Sequence, residues 1–127
     1  MPPQIDIKRT IRSSAPRLPY SEMKNNVLGQ GYELSLVMCG DDLARKMNKQ
    51  YRRKAYAANV LSFPLSKTEG EIFLNIRAAQ REAKKYGVSL SRRLALLFVH
   101  GLYHLKGFEH SDRTEALETK TLKKFGL

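Results

Sequence analysis

The alternation of hydrophobic and polar positions along the chain predicts four short strands. Residues 4–12 alternate with the period of a half-buried strand, and residues 32–39 form a second, more apolar strand that ends at Gly40. Two further strands are predicted at residues 59–65 and 71–75, with a turn between them. The side of the first strand that should face the core carries Ile5, Ile7, Arg9 and Ile11.

A helical spacing of apolar residues predicts two helices in the first half of the chain. The first is expected at residues 21–29, with Ser21 as its N-cap and Gly29 as its end. The second is expected to run from an Asp41 cap to about residue 52. Its inward stripe would consist of Leu43, Ala44, Met47 and Tyr51.

Three more helices are predicted in the second half. One spans residues 76–86 and stops at Gly87, and a long apolar helix follows from a Ser89 or Ser91 cap to about residue 106, where Gly107 ends it. The last helix should begin at Asp112, whose spacing to Glu115 fits a variant capping box. Its buried residues would be Leu117 and Leu122.

These elements predict a single domain over residues 1–127. Strands interleaved with helices indicate an α+β or α/β layered fold, with about four short strands in one mixed sheet and about five helices packed on it. The composition, 42% hydrophobic and 28% charged, is typical of a globular protein. The single cysteine, Cys39, excludes an intramolecular disulfide and favours a reducing compartment.

The cellular location can be predicted from two features, the length of the apolar runs and the charges in residues 1–12. The longest apolar run, residues 94–99, is far shorter than the roughly 18 residues of a membrane span. Residues 1–12 carry Asp6, Lys8, Arg9 and Arg12, where a signal peptide would need an apolar stretch. We therefore expect a cytoplasmic protein that does not cross a membrane.

The charge balance points to a polyanionic partner. The chain has 23 Lys and Arg residues against 12 Asp and Glu, which gives a formal charge of +11 at pH 7 and a pI near 10.0. RNA, DNA and acidic membrane surfaces all fit such a charge, and so does a solvated surface with a cationic excess. The charge narrows the choice of partner without deciding it.

All three histidines of the chain fall in the segment HGLYHLKGFEH. His100 and His104 lie four residues apart on a predicted helix, so their rings share one face and can bind one ion. Gly107 can end this helix in a left-handed conformation and turn the chain back towards the same point, which brings in His110. Three neutral imidazoles with a fourth position open to water form the ligand set of a catalytic zinc site.

The histidine segment has two alternative interpretations that the sequence leaves open, and a third that it argues against. Nickel suits the same ligands, and histidines that bind only backbone groups are the structural alternative. A metzincin-like peptidase has similar spacing but needs a glutamate after the first histidine, where this chain has Gly101, and a later methionine, whereas none follows Met47. Gly101 itself indicates either close approach of substrate or tight helix packing.

Several segments, in order, resemble the YbeY family of bacterial metal-dependent endoribonucleases. HGLYHLKGFEH is similar to the three-histidine metal motif of that family, H-G-x-x-H-L-x-G-Y-D-H. Upstream, NKQYRRKAYAANVLSFP is similar to its Asn, Tyr-Arg and Val-Leu-Ser-Phe-Pro segment, and Gly70, Glu71 and Ile72 stand where the family has Gly-Asp-Ile. Besides Glu71, the departures from these motifs are Ala55, Ala57, Ala58, Phe108 and Glu109.

The resemblance implies a function and assigns residues to it. It implies a zinc-dependent endoribonuclease that acts on single-stranded RNA in ribosomal RNA maturation, with the small ribosomal subunit as a partner. His100, His104 and His110 would bind the metal, and Arg52 and His100 would act in catalysis. The oligomeric state is not predicted. A non-catalytic, zinc-containing RNA-binding or ribosome-assembly factor is the alternative function.

Basic, aromatic and acidic side chains supply further candidates. The end of the second helix offers cations for RNA backbone contacts, namely Arg45, Lys49, Arg53 and Lys54. Tyr51, Tyr56 and Phe63 have the chemistry to stack on unpaired bases, although Tyr51 and Phe63 are expected in the core. Three carboxylates are candidates to orient ligands or carry a proton, namely Glu71, Glu109 and Asp112.

Overall fold

The computed structural model describes residues 5–127 and contains one four-stranded sheet with five helices. The strands are β1 (Ile5–Arg9), β2 (Glu33–Cys39), β3 (Val60–Pro64) and β4 (Glu69–Asn75). The helices are α1 (Tyr20–Leu28), α2 (Asp41–Arg52), α3 (Ile76–Tyr86), α4 (Leu90–Leu105) and α5 (Asp112–Lys124). This element order confirms the predicted α+β fold with one mixed sheet.

The strand order in the sheet is β1-β2-β4-β3. β1, β2 and β4 run parallel, and β3 lies antiparallel to β4 at one edge, with Leu61 opposite Phe73. The turn between β3 and β4 is short, which is the usual connection for an antiparallel pair. β3 is therefore an edge strand, and its outer side is available to form part of a site.

The two faces of the sheet are covered unequally. One face, which includes Leu36, Ile72 and Leu74, is buried in a large apolar cluster with residues of α1, α4 and α5. The opposite face carries a smaller cluster in which Phe73 and Leu61 meet Ala44 of α2. Helix α4 belongs to the larger core, because its residues Phe98 and Leu102 are fully buried.

The boundaries of α3 and α4 follow local capping signals. The side chain of Asn75 accepts a hydrogen bond from the backbone N–H of Ala78 and begins α3, and Gly87, in the left-handed region, ends it. Ser89 begins α4 in the same way, so of the two serines proposed as its cap, Ser89 is the one used. These helices match the predicted ranges because their signals lie in neighbouring residues.

Three predicted caps are wrong. α1 begins at Tyr20 after Pro19 rather than at Ser21, because the Tyr20 ring is buried edge-on against Phe98 and fixes the first turn inside the core. Gly40, not Asp41, is the N-cap of α2. Ser111, not Asp112, caps α5 and accepts from the Thr114 N–H, which removes the proposed capping box.

Asp41 has a tertiary partner in place of the predicted capping role. Its carboxylate accepts two hydrogen bonds of 2.8 Å from the Arg81 guanidinium and one of 2.9 Å from the Asn75 amide. The bonds from Arg81, and then from Asn75, lower the pKa of this carboxyl group to about 2. Asp41 thus ties the start of α2 to the start of α3.

Differences in the strands have a similar tertiary origin. β1 ends at Arg9 rather than at residue 12, and the predicted starting residue, Gln4, lies outside the described residues. Ile7 is 44% exposed instead of buried, because β1 is an edge strand. β4 begins two residues earlier than predicted, since Glu69 pairs with Glu33 of β2.

Candidate metal centre

Helix α4 presents two of the three histidines at its C-terminal end. The Nε2 atoms of His100 and His104 lie 3.0 Å apart, and their ring centroids lie 4.5 Å apart. Zinc–nitrogen bonds of about 2.0–2.1 Å at a tetrahedral angle would separate two ligand nitrogens by about 3.3 Å. The predicted one-turn spacing therefore places two imidazole nitrogens close to the separation that one metal ion requires.

A carboxylate on α5 fixes the orientation of the first histidine. The Nδ1 atom of His100 lies 2.7 Å from Oε2 of Glu118, whose side chain is buried at 4% exposure. An ionised carboxylate only accepts, so a neutral His100 paired with it donates from Nδ1 and carries its lone pair on Nε2. That lone pair points towards His104, and the donor set therefore suits an imidazole-binding metal.

Glu118 was missed by the sequence analysis, which proposed Glu71, Glu109 and Asp112 instead. Within residues 5–127, the carboxylates that contact the histidines are those of Glu118 and Glu115. A sequence signal for Glu118 did exist, because it lies on the same face of α5 as the buried residues Thr114, Thr121 and Leu122. A glutamate on the buried face of an amphipathic helix needs a partner, and here the partner is His100.

His110 reaches the same region from the loop after α4. Gly107 adopts φ of +103°, and the N–H of Phe108 donates to the carbonyl of Tyr103, so the chain turns back as predicted. The His110 ring centroid is 6.0 Å from that of His100, its side chain is 69% exposed, and its Nε2 lies 3.5 Å from Oε1 of Glu115. The third predicted ligand therefore flanks the pair.

His100 and His104 lie close enough to share a metal ion, but the described part of the chain does not show three ligands arranged around one point. Across residues 5–127, no three His, Cys, Asp or Glu side chains already stand in the arrangement of a metal cage. His100 and His110 nevertheless line one depression of about 440 Å³ together with Glu115 and Glu118. His110 is the exposed member of the three histidines, with 69% of its side chain accessible.

The environment of His104 favours its neutral form. Burial lowers the pKa of His104, and the neighbouring His100 ring lowers it further. A metal binds the neutral imidazole, so both effects reduce the competition from protons at this ligand. Cys39, by contrast, is fully buried in β2, and burial raises the pKa of its thiol to about 11, which does not favour a metal-binding thiolate.

Arg52 lines the same cleft as the histidine pair. A cleft of about 330 Å³ is lined by Arg52 at the end of α2, by residues of the edge strand β3, and by His100 and His104. The residues from the β3 side of this cleft are Asn59, Val60, Leu61 and Ser62. The structure thus brings the predicted catalytic arginine to the predicted metal ligands, although 48 positions separate Arg52 from His100 in the chain.

Gly101 allows α4 to lie close to β3. A Cβ atom at this position would be 2.9 Å from Ser62 Oγ and 3.1 Å from Ile72 Cδ1, which is closer than side chains normally pack. The Ser62 hydroxyl donates to the Gly101 carbonyl at 3.1 Å. Of the two readings of Gly101, tight helix packing is therefore the one that the structure supports, and Ser62, the hydrogen-bond partner of Gly101, lines the cleft.

The basic residues proposed for RNA contacts lie on or just after α2. Arg45, Lys49, Arg53 and Lys54 are all exposed. Arg45 is 3.7 Å from the carboxylate of Asp42. Lys49 lies with Arg52 in the last turn of α2, and Arg53 and Lys54 follow directly after it. Arg53 has a positive φ of 57° and reverses the chain there.

Three of the positions that depart from the family motifs, Phe108, Glu109 and Ala58, make structural contacts of their own. Phe108 packs edge-on against Tyr103, with 5.6 Å between ring centroids. Glu109 is exposed, and its backbone carbonyl accepts a hydrogen bond of 2.6 Å from the Thr114 hydroxyl. Ala58 is buried, and its carbonyl accepts from the Asn75 amide. These contacts hold the loops on either side of the cleft.

The fold and the site together define a class of small α+β protein, in which a helix presents paired histidines to an arginine-lined cleft. The family model "Endoribonuclease YbeY" matches residues 4–126. The chain therefore belongs to the YbeY endoribonuclease family, and by this membership it is an enzyme of the nuclease class. The resemblance found in the sequence motifs is confirmed.

Individual relatives agree with the family model. A protein named endoribonuclease YbeY from Heliobacterium modesticaldum is 36% identical over 75% of this chain and 70% of the relative. Its namesake from Helicobacter pylori is 39% identical over 80% of this chain and 78% of the relative. Among eight such relatives, the matched region makes up 56% to 78% of the relative's length.

A solved structure supports the fold independently. The solution structure of the Thermotoga maritima protein TM1509 superposes with a TM-score of 0.71 and covers 95% of this chain and 88% of its own. Its sequence identity of 20% makes this a statement about the fold alone. Within residues 5–127, no helix has the length and apolar character needed to span a membrane.

Proposed function

We propose that this chain is a zinc-dependent endoribonuclease that cleaves single-stranded RNA, and that it acts in ribosomal RNA maturation and quality control of the small ribosomal subunit in the cytoplasm. The observation that carries the proposal is the single cleft that joins Arg52 to the His100 and His104 pair. Family membership supports the endoribonuclease activity, and the net charge of +11 suits an RNA substrate. The ribosomal role rests on the resemblance to the family.

His100, His104 and His110 would hold the metal. Zinc suits this all-nitrogen ligand set, and nickel is the alternative. When bound, zinc supplies a Lewis acid that polarises a phosphate oxygen or acidifies a water molecule. The histidines contribute neutral nitrogens, and the lowered pKa of His104 keeps its ring in that form.

Arg52 supplies the positive charge that the reaction needs. Attack on a phosphodiester increases the negative charge on its nonbridging oxygens, and a guanidinium can hold two of them with paired N–H donors. Arg52 is exposed at the end of α2 and lines the cleft, and within residues 5–127 it makes no ion pair that a phosphate would have to displace. Exposed cations nearby would bind the RNA backbone, namely Arg45, Lys49, Arg53 and Lys54.

Glu118 orients His100 in this proposal. Its buried carboxylate holds the Nδ1–H group at 2.7 Å and aims Nε2 at the neighbouring ring. We predict that Glu118→Gln, which keeps the size but loses the charge, lowers zinc affinity by about tenfold. Competition with a chromogenic chelator measures this affinity, and nitrogen NMR reports the tautomer of His100, which should become mixed in the variant.

Glu115→Gln is the matched control for Glu118→Gln. Glu115 sits on the same helix beside His110, but its side chain is 58% exposed, so water can replace its contact. Its zinc affinity should stay within about twofold of wild type, since exposed ion pairs contribute little. Equal zinc affinity in the Glu118→Gln variant and wild type would contradict the orienting role.

Metal removal tests the proposed activity directly. We expect the purified chain to cleave a labelled single-stranded RNA, to stop when a strong chelator removes the metal, and to resume when zinc is restored. Nickel added instead of zinc tests the second metal. A zinc-loaded, folded chain that cleaves no RNA would contradict the enzymatic proposal and favour the assembly-factor alternative.

The unfolding transition separates the enzyme from that alternative. A zinc ion that only shapes the fold contributes most of the folding free energy, so its removal would unfold the chain. The enzyme should instead keep a cooperative transition without metal, because its apolar core is formed by the sheet with α1, α4 and α5. Denaturation midpoints of the metal-free and zinc-loaded chains are the comparison to make.

A further inference from the structure

An exposed tyrosine next to Arg52 has no role in the site described so far. Tyr51 was expected on the buried stripe of α2, yet the residue is 58% exposed. Its ring lies against Phe63 of β3, with 5.1 Å between centroids and an angle of 52°. Phe63 in turn meets the buried Phe73 of β4 edge-on at 5.8 Å. The three rings form a row of tilted and edge-on contacts that begins in the core and ends at the surface.

This row of contacting rings supports the outermost ring, that of Tyr51, from the core side. Phe73 is 7% exposed and belongs to the smaller core cluster. Phe63 lies between Phe73 and Tyr51. The Tyr51 ring is therefore in contact with Phe63 on one side, while the residue remains 58% exposed. An aromatic ring held in this way can bind a flat ligand with little loss of side-chain entropy.

The loop that follows Tyr51 is also held in place. The fully buried Asn48 donates its amide to the carbonyl of Tyr56 at 2.9 Å. At the far end of the loop, the carbonyl of Ala58 accepts from the buried Asn75 amide at 3.1 Å. The surface around Tyr51 is therefore shaped before any ligand arrives.

Uncompensated positive charge surrounds this ring. Lys49, Arg52, Arg53 and Lys54 are exposed, and within residues 5–127 none of them lies within 4.0 Å of a carboxylate oxygen. Other arginines of the described chain are paired, such as Arg81 with Asp41 and Arg93 with Glu82. A ligand that combines a flat apolar face with adjacent negative charge fits this surface, and a nucleotide has both.

We propose that the exposed face of Tyr51 is a stacking site for one unpaired nucleobase of the RNA substrate. The inference rests on the proposed endoribonuclease function and deepens it. Arg52 follows Tyr51 in α2 and lines the cleft with the histidines, whereas Tyr51 lies outside that lining. The stacked base would therefore belong to a nucleotide that flanks the phosphate held by Arg52. A base in a duplex is already stacked on both faces, and Tyr51 therefore selects single strands.

A comparison of tyrosine variants tests this site. We expect Tyr51→Ala to weaken the binding of a single-stranded RNA of about ten nucleotides by about tenfold or more, as for other base-stacking aromatics. Tyr51→Phe should restore binding, since the ring alone carries the stacking. Fluorescence anisotropy of the labelled RNA, recorded immediately after mixing with the zinc-loaded chain, measures this affinity. Single-turnover cleavage over a range of protein concentrations then gives the half-saturating protein concentration separately from the maximal rate.

Tyr86→Ala is the matched control. Tyr86 is 56% exposed, but its ring lies against the side chains of Arg93 and Lys85. Its loss should change RNA affinity by less than about twofold, because a tyrosine outside the site contributes no stacking. Equal losses in Tyr51→Ala and Tyr86→Ala would overturn the proposal, and so would unchanged binding by a folded Tyr51→Ala chain.

Abasic RNA links the effect to a base. A series of oligonucleotides, each lacking the base at one position, should show one position where wild-type affinity falls by about tenfold and where Tyr51→Ala shows no further loss. If the abasic penalty persists unchanged in Tyr51→Ala, the ring does not contact a base and the proposal fails. The anisotropy measurement needs no cleavage, so a chain that binds but does not cut would contradict the enzymatic proposal and leave this test intact.

Discussion

Replacement of His104 by alanine is expected to lower RNA cleavage by about a thousandfold or more, because a metal contributes several kcal/mol of transition-state stabilisation. His104 supplies one of the two Nε2 atoms that lie 3.0 Å apart, so its loss leaves His100 without its nearest co-ligand. The fold should survive, since the His104 side chain lies at the exposed end of α4. Single-turnover cleavage and the zinc content of the purified chain are the measurements.

Two further variants complete this test. His110→Ala should also lose zinc, because the proposed site needs its ring to join the pair, although His110 is 69% exposed and flanks the pair in the present arrangement. Lys106→Ala, another exposed residue at the end of α4, should keep both zinc and activity. Full zinc content in folded His104→Ala would refute the assignment of this residue as a ligand.

The elements that the sequence predicted well are those with local signals at both ends. α3 runs from Ile76 to Tyr86 as expected, because Asn75 begins it with a side-chain hydrogen bond and Gly87 ends it with a positive φ. The histidine pair was predictable for the same reason, since a four-residue spacing fixes two rings on one face once the helix is known.

The features that escaped the sequence analysis depend on distant segments. Glu118 was overlooked because its partner, His100, lies 18 positions earlier and reaches it only when α4 packs on α5. Tyr51 was assigned to the core by its helical spacing, but its ring lies on Phe63 of the edge strand β3 and remains open to solvent. Helical periodicity identifies the face that a residue lies on, and tertiary packing decides how far along the helix that face is covered.

The cleft between Arg52 and the histidine pair also depends on distant segments and could not be predicted from the spacing of its residues. Nothing in the spacing of Arg52 and His100 requires them to meet, and the resemblance to the family was the only reason to pair them. In the structure, β3 lies between the end of α2 and α4, and the absence of a side chain at Gly101 lets α4 lie close to that strand. Arg52 and the histidine pair therefore line one cleft because of the close packing of α4 on β3. The sequence contains the glycine that allows this packing, but its pattern does not predict which strand the helix meets.

Arg52→Ala is expected to lower the maximal cleavage rate by about a hundredfold to a thousandfold, the cost of losing one preorganised group that binds developing charge. Its zinc affinity should be unchanged, because Arg52 contributes no ligand. Arg52→Lys keeps the charge but loses the paired N–H donors, so it should recover only part of the rate. Single-turnover kinetics at saturating protein, together with a chelator competition for zinc, separate the two effects.

Arg53→Ala provides the comparison that makes the Arg52 result specific. Arg53→Ala removes the same charge from the next position, but residue 53 is absent from the lining of the cleft. The variant should therefore weaken RNA binding and lower the salt dependence of that binding, while the maximal cleavage rate stays near wild type. Arg53 also has a positive φ, and melting temperatures are therefore needed for both variants. Equal reductions in maximal rate for Arg52→Ala and Arg53→Ala would contradict a specific catalytic role for Arg52. They would mean that Arg52 contributes only as part of a general basic surface. A selective loss at Arg52 would instead mean that the guanidinium acts on the phosphate at the histidine pair.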